Sequence, residues 1–148
     1  MIRARRILHP SDFSKASGPA FLRALELAKA NKAELLLLHV RVPQTPFVGD
    51  GYVSPQTYQS LEASARRWVQ KQLGSLLAKA KKAKVKVRAF QMDGVPYDQI
   101  ARAAKSKRAD LIVMGTHGRT GLSRFFMGSV AERVIPLAHC PVLMIRGK

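Results

Sequence analysis

A glycine-rich segment placed directly after a short apolar run is the part of this sequence best suited to chemistry. Leu111–Met114 is too short for a helix of its own and is followed by glycine, so it is predicted to be a buried parallel strand. A helix is predicted from Ser129, because Ser129 and Glu132 have capping-box spacing ahead of an apolar periodicity. A strand, a glycine loop and a helix N-terminus in this order favour an anion site, since backbone N–H groups face the ligand. A plain connection between strand and helix is the alternative. The glycines are Gly115, Gly118, Gly121 and Gly128.

A carboxylate follows the first predicted strand, where ligands bind in open parallel sheets. That strand is predicted over Arg5–His9, and Pro10, Ser11 and Asp12 end it. If it lies beside Leu111–Met114, Asp12 lies at the glycine loop. There its carboxylate could accept hydrogen bonds from ribose hydroxyls or reach a metal held by phosphates. The alternative is that Asp12 caps the following helix.

The spacing of the glycines resembles that of a known family. Neither G-x-x-x-x-G-K-[ST] nor G-x-G-x-x-G occurs in the sequence. The pattern that does occur is Gly115-x2-Gly118-x9-Gly128-Ser129, which resembles the nucleotide loop of the universal stress protein family, in its ATP-binding branch, at all four positions. Ile7–Asp12 also resembles the family's first strand and its Pro-(Thr/Ser)-Asp turn, but His9 stands where an aliphatic residue is more usual. The resemblance covers nearly the whole chain.

The resemblance implies bound ATP and leaves open a Mg²⁺ or Mn²⁺ ion held through its phosphates. It implies that phosphates lie on the loop glycines and the start of the last helix, that Asp12 and Met114 lie at the ribose, and that backbone near Val40 and Arg41 contacts the adenine. Arg119 and Arg124 could neutralise phosphate charge or stay solvated, and His117 could donate to a phosphate or pack. The candidate cofactor-binding residues are Pro10, Ser11, Asp12, Val40, Met114, Gly115, His117, Gly118, Arg119, Gly128, Ser129 and Val130.

Strands and helices alternate along the chain, which predicts one doubly wound α/β sheet in a single domain over residues 1–148. The resemblance implies a five-stranded parallel, Rossmann-like sheet in the order 3-2-1-4-5 with helices on both faces. Helices are predicted over Ser17–Asn31, Pro55–Lys82, from Pro96 and over Ser129–Leu137; the other strands are Ala33–Val42, a half-exposed edge strand at Val85–Ala89, and Pro141–Ile145.

Several side chains and one loop have predicted places in this fold. Leu61 and Trp68 are expected on the core stripe of the second helix, and Val130, Val134 and Leu137 on the inward side of the last one. The loop 43–54, rich in Pro and Gly, is interpreted as a lid over a base or as a partner contact.

The final strand predicts a homodimer. At the edge of the sheet, Val142–Ile145 would expose an apolar ladder that should not stay unpaired. Antiparallel pairing with the same strand of a second copy would cover it with two-fold symmetry. The family resemblance implies the same arrangement.

Composition limits the possible settings of the protein. The chain has 148 residues and no apolar run of membrane-spanning length. Its first residues have bases but no long apolar segment behind them, so they are not expected to be a signal peptide. Cys140 is the single cysteine and is interpreted as a small buried hydrophobe, which suits a reducing cytoplasm.

The net charge of +17 predicts anionic partners without choosing among them. Between Arg66 and Arg88 lie nine basic residues and no acidic one. A solvated surface is the preferred interpretation of this run, and nucleic acid is left open as a partner but not favoured, because no aromatic residues interleave with the bases.

Three hypotheses remain at this stage. The favoured one is a cytoplasmic binding module that holds ATP and signals or protects through its occupancy. The second is a slow ATPase or phosphotransferase using Asp12 and a divalent metal, ranked lower because no general base or Mg²⁺ constellation is evident; no catalytic residue is nominated. The third is a member that binds no nucleotide and acts through its basic face on nucleic acid or acidic proteins. His9 and His39 end neighbouring strands, but nothing in their spacing supports a metal site.

Overall fold

The computed structural model describes residues 3–43, 47–48, 51–116 and 129–147, with the backbone alone at 47–48. In these residues five strands form one sheet, four α-helices pack against it, and two further short strands form a hairpin. The elements are β1 Arg6–Pro10, α1 Gly18–Asn31, β2 Glu34–Arg41, β3 Phe47–Val48, β4 Gly51–Tyr52, α2 Pro55–Lys82, β5 Val87–Asp93, α3 Pro96–Ser106, β6 Leu111–Gly115, α4 Ser129–Leu137 and β7 Val142–Ile145. A turn of 3₁₀ helix at Lys15–Ser17 precedes α1.

The main sheet has the order β5-β2-β1-β6-β7, and every pair of neighbours is parallel. Numbered along the chain without the hairpin, this is the order 3-2-1-4-5, so the predicted fold is confirmed. All five strands end at one edge of the sheet, which we call the carboxyl edge, and begin at the opposite, amino edge. From β1 the chain adds β2 and β5 on one side of the sheet, and it then returns to add β6 and β7 on the other side of β1. The direction of strand addition therefore reverses between β1 and β6, and open α/β sheets bind ligands at such a point.

The sheet is buried on both faces, as a parallel sheet between helix layers must be. Leu35 and Leu37 of β2 point into the core beneath α1 and α2, and Leu36 and Leu38 point into the core beneath α3 and α4. None of these four leucines has any exposed surface. The two-residue period of a strand explains how consecutive leucines fill both cores. Burying each leucine contributes roughly 1.5–3 kcal/mol.

The helix ends follow from local sequence. Ser54 caps α2 by accepting a hydrogen bond from the Thr57 N–H, and Pro55 takes the first helical position, where no N–H is needed. At their C-termini α1, α2 and α3 are followed by Lys32, Lys84 and Arg108, which all have left-handed backbone. These three connections lie at the amino edge and lead from each helix into the next strand of the sheet.

Several sequence predictions are wrong in detail. The segment 43–54 was expected to be a loop, but β3 and β4 pair within it as an antiparallel hairpin. The edge strand β5 begins at Val87 and continues to Asp93, so Val85 is buried ahead of it instead of within it. Leu61 of α2 is 56% exposed, and Leu137, the last residue of the short helix α4, is 53% exposed, so neither lies in the core.

Cys140 was expected to be a small buried side chain, and no membrane-spanning segment was expected. Cys140 is half-buried against the core beneath α3 and α4, and this burial raises the pKa of its thiol, with a smaller contribution from Asp110. A thiol in this state is a poor nucleophile. None of the helices in the described parts of the chain combines the length and the apolar character needed to cross a bilayer.

Candidate functional site

The sheet opens on both sides of β1 at the carboxyl edge. The pairing of β1 with β6 stops at Leu8 and Ile112, whereas β1 continues to Pro10 and β6 to Gly115. In a continued parallel ladder the N–H of residue 10 would donate to the Val113 carbonyl. Proline has no N–H, so this bond cannot form and the strands part.

His9 supplies the donor that Pro10 lacks. Its Nδ1 lies 2.9 Å from the Val113 carbonyl oxygen, and since a carbonyl only accepts, Nδ1 carries the proton. The ring is fully buried and packs against Phe21 of α1. Burial lowers the pKa of His9 from 6.5 to about 4, against the smaller opposing effects of the Val113 bond and the Asp12 charge. The ring is therefore neutral at pH 7.

A second histidine replaces the next ladder bond on the other side of β1. Pro10 pairs with Leu38, and the Ser11 N–H donates to the Leu38 carbonyl at 2.8 Å. The next bond of this ladder would run from the Val40 N–H to the Ser11 carbonyl. Instead, the His39 Nδ1 donates to that carbonyl at 2.8 Å. Within the described residues, the Val40 N–H therefore has no ladder partner on the β1 side.

The turn after β1 is held by its own hydroxyls and carboxylate. The Phe13 N–H donates to the Ser11 Oγ at 3.1 Å, and the Ser14 N–H donates to the Asp12 Oδ1 at 3.0 Å. Ser14 in turn caps the 3₁₀ turn by accepting from the Ser17 N–H. Asp12 thus stabilises the turn without capping a helix itself. Among the described residues its second oxygen, Oδ2, has no hydrogen-bond donor.

An aromatic group supports this turn from the side of α2. Phe13 has left-handed backbone with φ 64° and stacks on the His39 ring, with 4.5 Å between ring centroids. Trp68 of α2 meets Phe13 edge-on at 5.5 Å. Trp68 was expected in the core, but it is 39% exposed and packs beside the turn. Sequence periodicity could not find this group, since its members lie on three separate elements.

The other side of the opening is formed by β6 and α4. Met114 is buried and Gly115 half-buried, and beyond them the Thr116 N–H donates to the Ile145 carbonyl at 2.9 Å, so the end of β6 is held by β7. Ser129 is exposed and is the first residue of α4 among the described residues. The predicted loop residues His117, Gly118, Arg119, Gly121, Arg124 and Gly128 lie outside the described residues.

An ion-pair group closes the edge at β2 and β5. The Arg41 guanidinium donates to both oxygens of Asp93, each at 3.2 Å, and also pairs with Glu62 of α2. Arg41 chiefly lowers the pKa of Asp93, and Asp93 and Glu62 raise the pKa of Arg41. The bidentate geometry fixes the end of β2, and with it the backbone of Val40.

The comparison with known proteins agrees with this fold. Residues 3–146 match the universal stress protein family. This chain belongs to the universal stress protein family.

Its relatives include archaeal and bacterial members. The universal stress protein MJ0531 of Methanocaldococcus jannaschii is 39% identical over 142 residues, which cover 96% of this chain and 82% of the relative. Among solved structures, the hypothetical protein MJ0577 has a TM-score of 0.81 at 28% identity, covering 100% of this chain and 99% of its own. The universal stress protein UspA from Lactobacillus plantarum has a TM-score of 0.82 at 26% identity, covering 97% of this chain and 99% of its own.

Two further solved structures of universal stress proteins contain a bound nucleotide. One is a complex with cAMP, at 23% identity and a TM-score of 0.71. The other is an Arabidopsis thaliana protein with AMP bound, at 24% identity and a TM-score of 0.67. Because both proteins are less than 25% identical to this chain, the similarity establishes only that they share its fold.

The opening of this universal stress protein brings together most of the described candidate residues. Pro10, Ser11 and Asp12 lie between Val40 on one side and Met114 and Gly115 on the other. Val130 is half-buried near the start of α4. His9 and His39 each donate their Nδ1 proton to a backbone carbonyl. The described residues contain no cluster of three side chains suited to hold a metal.

Proposed function

We propose that this universal stress protein binds ATP at the opening of its sheet and acts through occupancy of that site. The observation that supports the proposal is the release of the Val40 N–H from the β1 ladder, next to the Asp12 carboxylate. A backbone N–H and C=O on one side of a strand present a donor and an acceptor side by side, which is the pattern needed by the Watson–Crick edge of adenine.

The remaining groups of the nucleotide follow from the order of the elements. Asp12 accepts from the ribose hydroxyls through the carboxylate oxygen that the turn does not use. Met114 and Gly115 lie beside the ribose, and the start of α4 at Ser129 and Val130 offers N–H groups to the phosphates. In this proposal Gly118 and Gly128 complete the phosphate loop, and a Mg²⁺ or Mn²⁺ ion is held by the phosphates.

The relatives support an adenine nucleotide in general terms. The proteins described with cAMP and with AMP share the fold, so a sheet of this kind can hold such ligands. The choice of ATP for this chain rests on the glycine spacing and on the residues at the opening.

The direct test is the affinity for ATP in Asp12→Asn. The asparagine keeps an acceptor for the Ser14 N–H, so the turn is retained, but it loses the second carboxylate oxygen. Removing a hydrogen bond to a charged group costs about 1.5–3 kcal/mol, which is roughly a 10- to 100-fold weaker Kd by titration calorimetry. Wild-type protein that binds no ATP with or without Mg²⁺ or Mn²⁺ would refute the proposal, as would an unchanged affinity in Asp12→Asn.

A backbone substitution tests the adenine contact separately. Val40→Pro removes an N–H that has no ladder partner among the described residues, so we expect weaker ATP binding with little change in the fold. Val42→Pro is the matched control, because Val42 is exposed and lies just beyond β2. Equal ATP affinity in the two variants would exclude the Val40 N–H from the site.

We also propose that two copies pair along β7 and that the dimer works in the cytoplasm. Leu143 is 37% exposed on this edge strand. Pro141 and Ile145 direct their carbonyls to β6, so the N–H of Met144 points to the outer side of the sheet. Met144→Pro should therefore give a folded monomer in light-scattering measurements, and a dimer that survives it would place the interface elsewhere.

A further inference from the structure

The ends of three helices share one sequence pattern. The hexapeptides are AKANKA at residues 28–33, AKKAKV at 80–85 and AKSKRA at 104–109. Each has alanine first, lysine second, a base fifth and a small or branched apolar residue sixth. Each joins a helix to the strand that follows it, namely α1 to β2, α2 to β5 and α3 to β6.

The three hexapeptides have the same backbone geometry. The fifth residue is left-handed in each, with φ 52° at Lys32, 61° at Lys84 and 54° at Arg108. Its N–H donates to the carbonyl of the second residue, and the N–H of the sixth donates to the carbonyl of the first, which is the Schellman cap. The six bonds are Lys32 to Lys29 at 3.3 Å, Ala33 to Ala28 at 2.8 Å, Lys84 to Lys81 at 2.9 Å, Val85 to Ala80 at 3.0 Å, Arg108 to Lys105 at 3.2 Å and Ala109 to Ala104 at 2.8 Å.

A base is an unfavourable choice at the left-handed position. Glycine is the usual residue there, because a Cβ makes this backbone region costly. The helix dipole favours positive charge at a C-terminus, but the second residue of each cap is already a lysine in the last turn. Lys32, Lys84 and Arg108 are exposed, and within the described residues none of them has an ion-pair partner. Nothing described inside the chain offsets their cost.

The topology collects all three caps on one surface. Because every strand is parallel, each helix ends at the amino edge, on the opposite side of the sheet from the proposed ATP site. Two acidic residues lie at this edge and both are engaged. Glu34 contacts Arg6, Lys86 and Arg88, and Asp110 accepts from the backbone N–H groups of Arg5 and Arg6. Glu34 and Asp110 therefore do not neutralise the positive charges of the caps.

We propose that the amino edge binds the phosphate backbone of a nucleic acid through the six cap bases Lys29, Lys32, Lys81, Lys84, Lys105 and Arg108. Interfaces with nucleic acid are polar and strongly positive, whereas interfaces between proteins have an apolar core that lacks lysine. None of the large exposed hydrophobic side chains of the described residues belongs to the three caps. A membrane surface would use such side chains for insertion. Contacts of this kind read charge and not sequence.

The test replaces the left-handed bases with the residue that their backbone prefers. In the triple variant Lys32→Gly, Lys84→Gly and Arg108→Gly the caps are retained and strain is relieved, so the melting temperature should stay equal or rise. Binding to labelled duplexes of about 20 base pairs, DNA and RNA in parallel, is followed by fluorescence anisotropy between about 50 and 200 mM salt. We expect roughly tenfold weaker binding at low salt and a slope of log K against log salt that is shallower by about 3, near 0.9 for each lost phosphate contact.

A second triple variant controls for net charge. The variant Arg23→Gln, Lys71→Gln and Arg102→Gln also removes three positive charges, but from exposed positions inside the helices. It should keep most of the affinity and the slope of the wild type. Binding of either duplex with this contrast supports the proposal. Equal losses in the two triple variants, no duplex binding by the wild type, or tighter binding to phosphatidylserine vesicles or to polyglutamate than to both duplexes would overturn it.

Discussion

The two edges of the sheet are built from the same alternating units and yet differ in kind. At the amino edge, three connections repeat one cap, with the same hydrogen bonds and the same left-handed residue. At the carboxyl edge the connections differ from one another. One is a turn of interlocked side chains after β1, and another is a chain segment that leads through a hairpin.

The comparison shows where backbone groups are satisfied and where they are released. The caps at the amino edge pair the N–H groups that follow α1, α2 and α3, and the described part of this surface presents the charged side chains of the caps. At the carboxyl edge Pro10 ends the ladder and two histidine rings donate to backbone carbonyls. Among the described residues the Val40 N–H then has no ladder partner on the β1 side. A small ligand can be recognised by such backbone groups, whereas a long polyanion is suited to a field of side-chain charges.

The largest difference expected between the two edges is the loss of the free energy of unfolding at acid pH that is due to His9, at the carboxyl edge. Its pKa is about 4 in the folded protein, lowered by burial, and 6.5 when unfolded. The unfolded chain therefore binds the proton first, and the stability contributed by neutral His9 is complete above pH 6.5 and lost as the pH falls toward 4. A shift of this size corresponds to roughly 3 kcal/mol. Urea unfolding at pH 7.5 and pH 4.5 measures it.

Two variants isolate this contribution from that of the carboxylates. His9→Val should lose stability at pH 7.5, because the Val113 carbonyl loses its donor, but it should show less dependence on pH. The exposed His139→Gln should keep the wild-type dependence. If His9→Val and wild type lose the same free energy of unfolding between the two pH values, His9 is not the source.

A middle-sized effect is expected at the Arg41 ion pairs. Arg41→Met leaves Asp93 and the largely buried Glu62 without their common partner, so we expect a loss of roughly 2 kcal/mol in the free energy of unfolding. The matched variant is Arg23→Met, which breaks an exposed pair with Glu26 and should cost about 0.5 kcal/mol or less. Similar costs for both variants would mean that the carboxyl edge is not fixed by Arg41.

The smallest effect, and one of opposite sign, is expected at the amino edge. Lys32→Gly relieves about 1–2 kcal/mol of left-handed strain and gives back about 0.4–1 kcal/mol through the more flexible unfolded chain. The free energy of unfolding should rise by roughly 0.5–1 kcal/mol. Ala30→Gly, at an exposed position within α1 and two residues before Lys32, should lower it by about 1 kcal/mol. Chemical denaturation of the two variants gives the comparison, and a loss in Lys32→Gly would contradict the strain at this cap.

The fold was predictable because its strands are buried on both faces. The four leucines of β2 and the apolar run of β6 have no helical or alternating period, and prolines or glycines bound them. The resemblance implied the strand order, which is confirmed. Leu137 was misplaced since a nine-residue helix has little room to bury its last turn. The β3–β4 hairpin was missed because its Pro- and Gly-rich sequence carries no strand pattern.

The candidate site was predictable in part. The order of strands makes β1 and β6 neighbours, so Asp12 and Gly115 both lie at the carboxyl edge. The missing N–H of Pro10 can be read from the sequence once its neighbours are known. The roles of His39, Phe13 and Trp68 depend on contacts between distant elements, which no local pattern encodes. The expected phosphate contacts at Gly118, Arg119 and Gly128 remain predictions.

The imino acid at position 10 has a consequence for the timing of ligand capture. Pro10 has no N–H, so β1 and β6 cannot form the missing ladder hydrogen bond and close the opening when the ligand leaves. We therefore expect the cleft of the empty protein to be formed in advance, so that nucleotide association is a single step whose rate increases linearly with concentration and never reaches a plateau set by opening.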